Sequence, residues 1–396
     1  MQKVTEPMET QAAVSWSNEA KASEGARRAM RSVIEQLSGD PDFIIAFWAE
    51  DVPAQDVLTG ITQETEAAQI LGSPAAGLIV NSEIRQAGIV IMGIRQPGLR
   101  VRLAAMETVP PDARANRECG ERLAEELIDE VYEALASGDR HLAMLAIPPS
   151  VTRGYTEAIR GMTDLLGPLC PIVGGGAPYD VRVLGRQVLV NRAVAALLSS
   201  PNPIGVGVAH GWEPMSRPLV ITRAEDNVLM ELNGQPAFVT YKELFPDVDW
   251  AATDFATFAR DHPFGLPSVG GEYVVIDPYA VDDAGAIHCA GRLPESGVVN
   301  VMHGNPQALR EAARRAACRS RDALGGALPR AAVVFDCISR LQFMGDQAMG
   351  EIADIQASLG GDVPMIGMFS HGEIAPNRQP GLTVLHNKTA VTLTFA

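Results

Sequence analysis

No run in this 396-residue chain is long and apolar enough to span a bilayer. The longest apolar stretch, near Ala87 to Ile94, falls far below the roughly 20 residues a membrane helix needs. The N-terminus, Met1 to about Ser17, is polar and acidic without an apolar segment, so it does not read as a signal peptide. Cysteine is sparse. Cys119, Cys170, Cys289, Cys318 and Cys337 are odd in number and scattered. None forms a CxxC pair, so neither zinc spacing nor a disulfide framework is present. Reduced thiols fit the expected cytoplasmic location. Positive charge is also short: 32 basic against 48 acidic residues leave a net charge of −16. No cationic run interleaved with aromatics occurs, which argues against nucleic acid as a partner.

Catalytic signatures are missing as well. The histidines show no HxH or HExxH spacing, and no metal site is expected. No GxSxG elbow, P-loop or helix-opening GxGxxG occurs. The run Gly174-Gly175-Gly176 leaves two readings open. It is either an anion nest, with Gly174 and Gly175 as secondary ligand candidates beside His210, or a tight turn with close sheet packing. Gly205-Val206-Gly207 continues into a strand.

What the chain does have is a phrase used three times: a strand-like run, an amphipathic stretch, Leu-Gly, then Pro-x-x-Gly closing a second apolar run. The copies run from Phe43–Trp48 to Gly77, from Leu142–Ile147 to Gly174, and from Ala332–Phe335 to Gly367. Strand, helix, strand requires a crossover, so each pair of strands should be parallel. Copies one and three share Glu-Ile six residues after the closing Gly, at Glu83-Ile84 and Glu373-Ile374. Such recurrence reads as duplication, against the alternative of shared α/β grammar. The expected fold class is α/β, with mixed sheets flanked by helices in two domains.

Around these units we expect a loose tail over 1–16 and a helix from Asn18 to Leu37 capped by Ser17. Gly88–Ile94 and Leu99–Val109 should pair as a hairpin across Pro97-Gly98, a type II turn signature. A helix is expected over Asp112–Ala136, stopped by Gly138. A second hairpin should join Gln187–Val190 to Ala193–Leu198 at Asn191-Arg192. Strands follow at Ile204–Ala209 and Leu219–Ala224, then a short helix from Pro236. A domain boundary near 247–261 divides the chain into 17–250 and 251–396. Beyond it come strands near Glu272–Ile276, Ile287–Ala290 and Val298–His303, a helix over Pro306–Ala323, and two closing strands, Leu382–His386 and Ala390–Phe395.

One constellation could carry ligand chemistry. Asp336, Cys337 and Arg340 follow a repeat strand, and Ser370-His371-Gly372-Glu373 follow its parallel partner. Ligands of open α/β sheets sit at the carboxyl ends of strands. Arg340 offers a planar fork for a carboxylate and Glu373 an acceptor for an ammonium group, which suits a small polar ligand; alternatively the two pair with each other. Ser370, Gly372, Cys337 and His371 complete the candidate set. A thiol-dependent enzyme built on Cys337 remains a further alternative, with Arg340 the local cation to activate it.

These residues resemble the FIST C-terminal domain, whose pattern is Phe-x-Cys-x-x-Arg followed by Gly-x-x-x-x-Gly-Glu-Ile. The chain carries it as Phe335-Asp336-Cys337-Ile338-Ser339-Arg340 and Gly367-Met368-Phe369-Ser370-His371-Gly372-Glu373-Ile374. His210-Gly211-Trp212, Ile221-Thr222-Arg223-Ala224 and Asn227–Ala237 are similar to the FIST N-terminal domain. Near Gly72 the family usually has Gly-Cys-Ser/Thr-x-x-Gly; here Gly72-Ser73-Pro74-Ala75-Ala76-Gly77 stands instead, which weakens a ligand role for that copy. The resemblance implies a sensor of bacterial signal transduction that binds small molecules, with amino acids proposed as ligands, rather than an enzyme. It also implies an alternative, a haem-based nitric oxide sensor, for which His210 or His303 would supply the axial donor. No output domain or F-box accompanies the pattern, so a free-standing sensor, or one with a separate signalling partner, is expected.

Overall fold

The computed structural model describes residues 9–66, 69–106, 112–138, 141–149, 155–268, 271–377 and 381–396. All three copies form the expected crossover. Phe43–Ala49 lies parallel to Gln69–Ala75, His141–Ile147 to Ile172–Gly175, and Ala331–Cys337 to Met365–Ser370. These strands are buried on both faces, which explains their continuous rather than alternating apolar pattern. The fold is mixed α/β, as its composition and spacing predict.

Each copy anchors its own six-stranded sheet, and the three sheets share one order. An edge strand is followed by an antiparallel strand, the two parallel strands of the copy, and a two-stranded hairpin. The edge strands are Gln11–Ser17, Arg100–Ala105 and Ile204–Ala209. The hairpins are exchanged in a ring. The first copy sends Leu78–Val80 to the third copy's Met365–Ser370. The third sends Glu373–Pro376 to the second copy's Ile172–Gly175. The second sends Val181–Leu184 to the first copy's Gln69–Ala75. The inner faces of the three sheets close on one core, with Phe43, Phe47, Leu145, Val173, Phe335 and Phe395 fully buried in it. Helices cover the outer faces in three separate apolar layers.

The third copy differs by an insertion. Between its edge strand and the Pro306–Asp322 helix lies a nine-stranded sheet, Glu213 to His303, with its own aromatic core around Tyr241 and Phe264. The expected boundary at 247–261 falls inside this insertion.

Several local expectations are corrected. Gln11–Ser17 is no tail, because it pairs along its whole length with Ile89–Arg95. The first helix starts at Ala22 after Lys21, and Ser17 does not cap it. The turn at Pro97-Gly98 forms, with Leu99 N–H donating to Gln96 O and Gly98 at φ 84°. Its flanking strands do not pair with each other: Ile89–Arg95 joins the first sheet and Arg100–Ala105 the second. Residues 107–109 of that expected strand lie outside the described residues. Likewise Gln187–Val190 pairs with Val181–Leu184, and Val194–Ser200 turns to His141–Ile147. Turn chemistry marked both reversals correctly, but each one passes the chain from sheet to sheet. The Ala113–Ser137 helix is as expected, capped by Asp112 and ended by Gly138 in a left-handed conformation.

The first copy's register also differs from its sequence spacing. Gly72 faces Ala46 as Gly367 faces Val334, each opposite the residue three before its strand's end. Gly72, not Gly77, is therefore the counterpart of Gly367. The Glu-Ile tails are not equivalent either. Glu373 opens the exchanged strand and is buried, whereas Glu83 lies on the outer strand of its hairpin, exposed beside Arg85.

Candidate functional site

Arg340 sits in the first turn after the third copy's leading strand, so its side chain runs back under the strand ends. It is fully buried and spent within the protein. The guanidinium donates to His210 O at 2.5 Å, Leu309 O at 2.9 Å and Lys388 O at 3.1 Å. It pairs with Glu351 and, at 3.1 Å, with Asp336. One cation thus ties five segments together. With two carboxylates beside one guanidinium, burial and Glu351 push the Asp336 carboxyl up while Arg340 opposes them. Arg340 neither opens to solvent nor pairs with Glu373, which differs from both readings of the sequence.

Glu373 is fully buried one step away. Ser370 Oγ donates to its Oε1 at 2.8 Å and Thr389 N–H to its Oε2 at 3.2 Å. Burial nevertheless raises its pKa to about 8, with Ser370, Thr389 and Cys337 working the other way. Gly372, at φ 89°, makes the left-handed turn between Ser370 and Glu373. His371 is half-buried, and its N–H donates to Gly176 O. Cys337 is buried and burial pushes its thiol up strongly; the cation that counters this is Lys388, not Arg340. Gly174 and Gly175 serve packing: a Cβ on Gly174 would lie 1.8 Å from Ala146 O, and one on Gly175 2.6 Å from Ser370 Cβ. That favours close sheet packing over the anion nest.

The insertion docks on this hub. Lys388, in the turn before the last strand at φ 58°, is fully buried with Nζ 3.2 Å from Asp277 Oδ1. It also lies over the Trp212 ring at 5.2 Å. Ser339 Oγ donates to Asp277 Oδ2 at 3.0 Å, and Asp277 N–H to Asn387 Oδ1 at 3.1 Å. Asp277, Glu351, Asn387, Lys388 and Thr389 were not singled out from the sequence. The polar cluster Asn387-Lys388-Thr389 between two apolar strands was the available signal.

Where the insertion leaves the frame, a cleft of about 330 Å³ opens at His210-Gly211-Trp212, with Glu213, Glu272, Glu311, Arg315 and Arg319 as its charged lining. His210 Nδ1 accepts from Trp212 N–H at 2.9 Å, and burial lowers its pKa to about 3, so the ring is neutral. His303 is exposed on a strand of the insertion. Among the described residues no group of His, Cys, Asp and Glu is arranged to hold a metal ion.

The FIST N domain matches residues 42–235 and the FIST C domain residues 237–376. The chain belongs to the FIST family. FIST domains are associated with sensing in signal transduction. The two matches meet at 236, inside the inserted sheet. An uncharacterized protein of Mycobacterium tuberculosis (strain ATCC 25618 / H37Rv) is 25% identical over 361 residues, covering 86% of this chain and 87% of that protein. An uncharacterized protein of Methanocaldococcus jannaschii is 22% identical over 243 residues, covering 56% of this chain and 46% of that one. Among solved structures, T. maritima PurL complexed with FGAR aligns with a TM-score of 0.24 at 10% identity, covering 98% of this chain and 73% of PurL. A likeness that low carries no argument. No helix of this FIST protein, among the described residues, is long and apolar enough to cross a membrane.

Proposed function

We propose that this protein senses a small polar metabolite at the seam between the triplicated frame and the insertion, rather than acting as an enzyme. The observation that carries this is the Arg340 hub. Its guanidinium holds the His210 turn, the start of the Pro306–Asp322 helix and the Lys388 turn at once. A ligand in the cleft beside His210 therefore presses on a turn wired to both bodies, and differential contact of that kind is what shifts a conformational equilibrium. On this reading Arg340, Cys337, Ser370, Gly372, His371 and Glu373 position the site, and the residues around His210 meet the ligand. Such a seam offers a separate signalling partner a surface whose geometry depends on occupancy.

A panel of amino acids and organic acids in a thermal-shift assay tests the reading. Ligand at about 100 times its dissociation constant stabilises by about 2.7 kcal/mol, a clear rise in melting temperature. No shift with any compound, and no co-purified molecule in native mass spectrometry, would count against it. The haem alternative finds less support. The cleft beside His210 offers Trp212 and two alanines but also three glutamates and two arginines, Glu213, Glu272, Glu311, Arg315 and Arg319, a lining more charged than a haem face favours.

A further inference from the structure

We propose that the cleft at His210-Gly211 takes a small oxyanion, a carboxylate or phosphate group, with Arg315 as its receptor; this rests on the sensor reading above. The Pro306–Asp322 helix carries five arginines, and four are engaged. Arg310 pairs with Asp354, Arg314 with Glu311, Arg319 with Glu272 and Arg321 with Asp322. Arg315 has neither a hydrogen-bond nor an ion-pair partner among the described residues. It stands four residues before Arg319 on the same helix face, and both line the cleft. Arg319 is fixed there by donating to Val208 O at 2.7 Å and to Glu272 at 2.6 Å. The open guanidinium is thus the one aimed where a ligand can enter, and its planar fork matches a carboxylate or phosphate.

The opposite wall adds a donor. Because His210 Nδ1 accepts from Trp212 N–H, the neutral ring keeps its proton on Nε2 as a further donor. Gly211, at φ 80°, presses the turn onto the helix, since a Cβ there would meet Ala308 O at 2.6 Å. Of the three carboxylates that line the cleft, Glu272 and Glu311 are spent on Arg319 and Arg314, leaving Glu213 as the one acidic group a bound anion must avoid. Position adds a separate argument. In the first two copies the edge strand leads on to its helix without an inserted domain, from Ser17 to Ala22 and from Ala105 to Ala113. Only the third copy interposes the insertion there, and the cleft lies at that departure.

Isothermal titration of the full chain with succinate, with inorganic phosphate and with neutral succinamide tests this. Succinate, phosphate or both should bind, the two arms separating carboxylate from phosphate, and succinamide should bind at least tenfold more weakly. Arg315→Gln should weaken anion binding about tenfold or more, with Arg315→Lys between it and the parent. The ligand-free melting temperature should not move, because Arg315 is exposed and unpaired. Absence of binding by both anions, equal binding of succinamide, or full affinity in Arg315→Gln would each overturn the proposal. If native mass spectrometry still shows a metabolite bound to Arg315→Gln, the sensor reading survives and the oxyanion receptor does not. If neither method shows any bound compound, both fall.

Discussion

At the scale of single residues, the buried ionisable groups set measurable behaviour. Cys337 is enclosed and its thiol is pushed up, whereas Cys318 is partly exposed on the Pro306–Asp322 helix. Iodoacetamide labelling followed by peptide mapping should modify Cys318 well before Cys337. Preferential labelling of Cys337 would revive the thiol-enzyme reading. Glu373 gives a pH signature. Its carboxyl titrates near 4.5 when unfolded and at about 8 when folded. The native state therefore holds a proton that the unfolded chain has released, and stability falls as pH rises through that window. His210 and His386, lowered to about 3 and about 4 by burial, act oppositely, costing stability as pH drops below about 6.5. Urea melts at pH 5 and pH 8.5 should show a smaller loss on alkalinisation for Glu373→Gln than for the parent. An unchanged difference would mean that Glu373 is ionised in the folded protein at both pH values.

At the scale of elements, glycines report where strands and helices touch. A Cβ on Gly207 would lie 1.9 Å from Ala316 O, so the edge strand and the long helix must separate to admit one. Gly207→Ala should cost about 1–3 kcal/mol in chemical denaturation. Gly25, inside the first helix, has its nearest contact at 3.5 Å, and Gly25→Ala should stabilise by about 0.5–1 kcal/mol. Opposite signs from the same substitution would confirm the packing. The elements themselves were readable because apolar runs, Asp112 and Gly138 act locally. Partner choice was not, since Gln96–Leu99 and Asn191 specify a reversal and say nothing of which sheet receives the returning strand. The site was half readable for a similar reason. Arg340, Ser370 and Glu373 stand out as polar residues at strand ends. Glu351 and Lys388 reach Arg340 across 11 and 48 residues, and Asp277 reaches Ser339 across 62; tertiary folding brings them in, and only the fold shows that the set is buried.

At the scale of the whole molecule, the insertion meets the frame through an apolar patch, Val275 and Met302 against Leu309, Met344 and Ala348, and through a buried polar pair beside it. Lys388→Met keeps the length of the side chain but removes the pair with Asp277 and the cation over Trp212. Hydrogen exchange should then rise in the 273–289 strands while the Phe43–Ala49 and His141–Ile147 strands stay protected. Uniform exchange across the chain would instead mark loss of the global fold. The exchanged hairpins have a consequence for how the chain is made. The first sheet lacks its outer hairpin until residues 181–190 have emerged, the second until 373–386, and the third spans Leu78 to Phe395. No copy can finish alone: during synthesis the first two wait with an unpaired strand edge for a later copy, and the hairpin from Leu78 waits for the third. Folding should be slow and all-or-none across the three, with the ring closing only after the last strand leaves the ribosome. A chain stopped at residue 200 should therefore expose the edge of Ile172–Gly175 and aggregate, although two complete copies of the repeat are present in it.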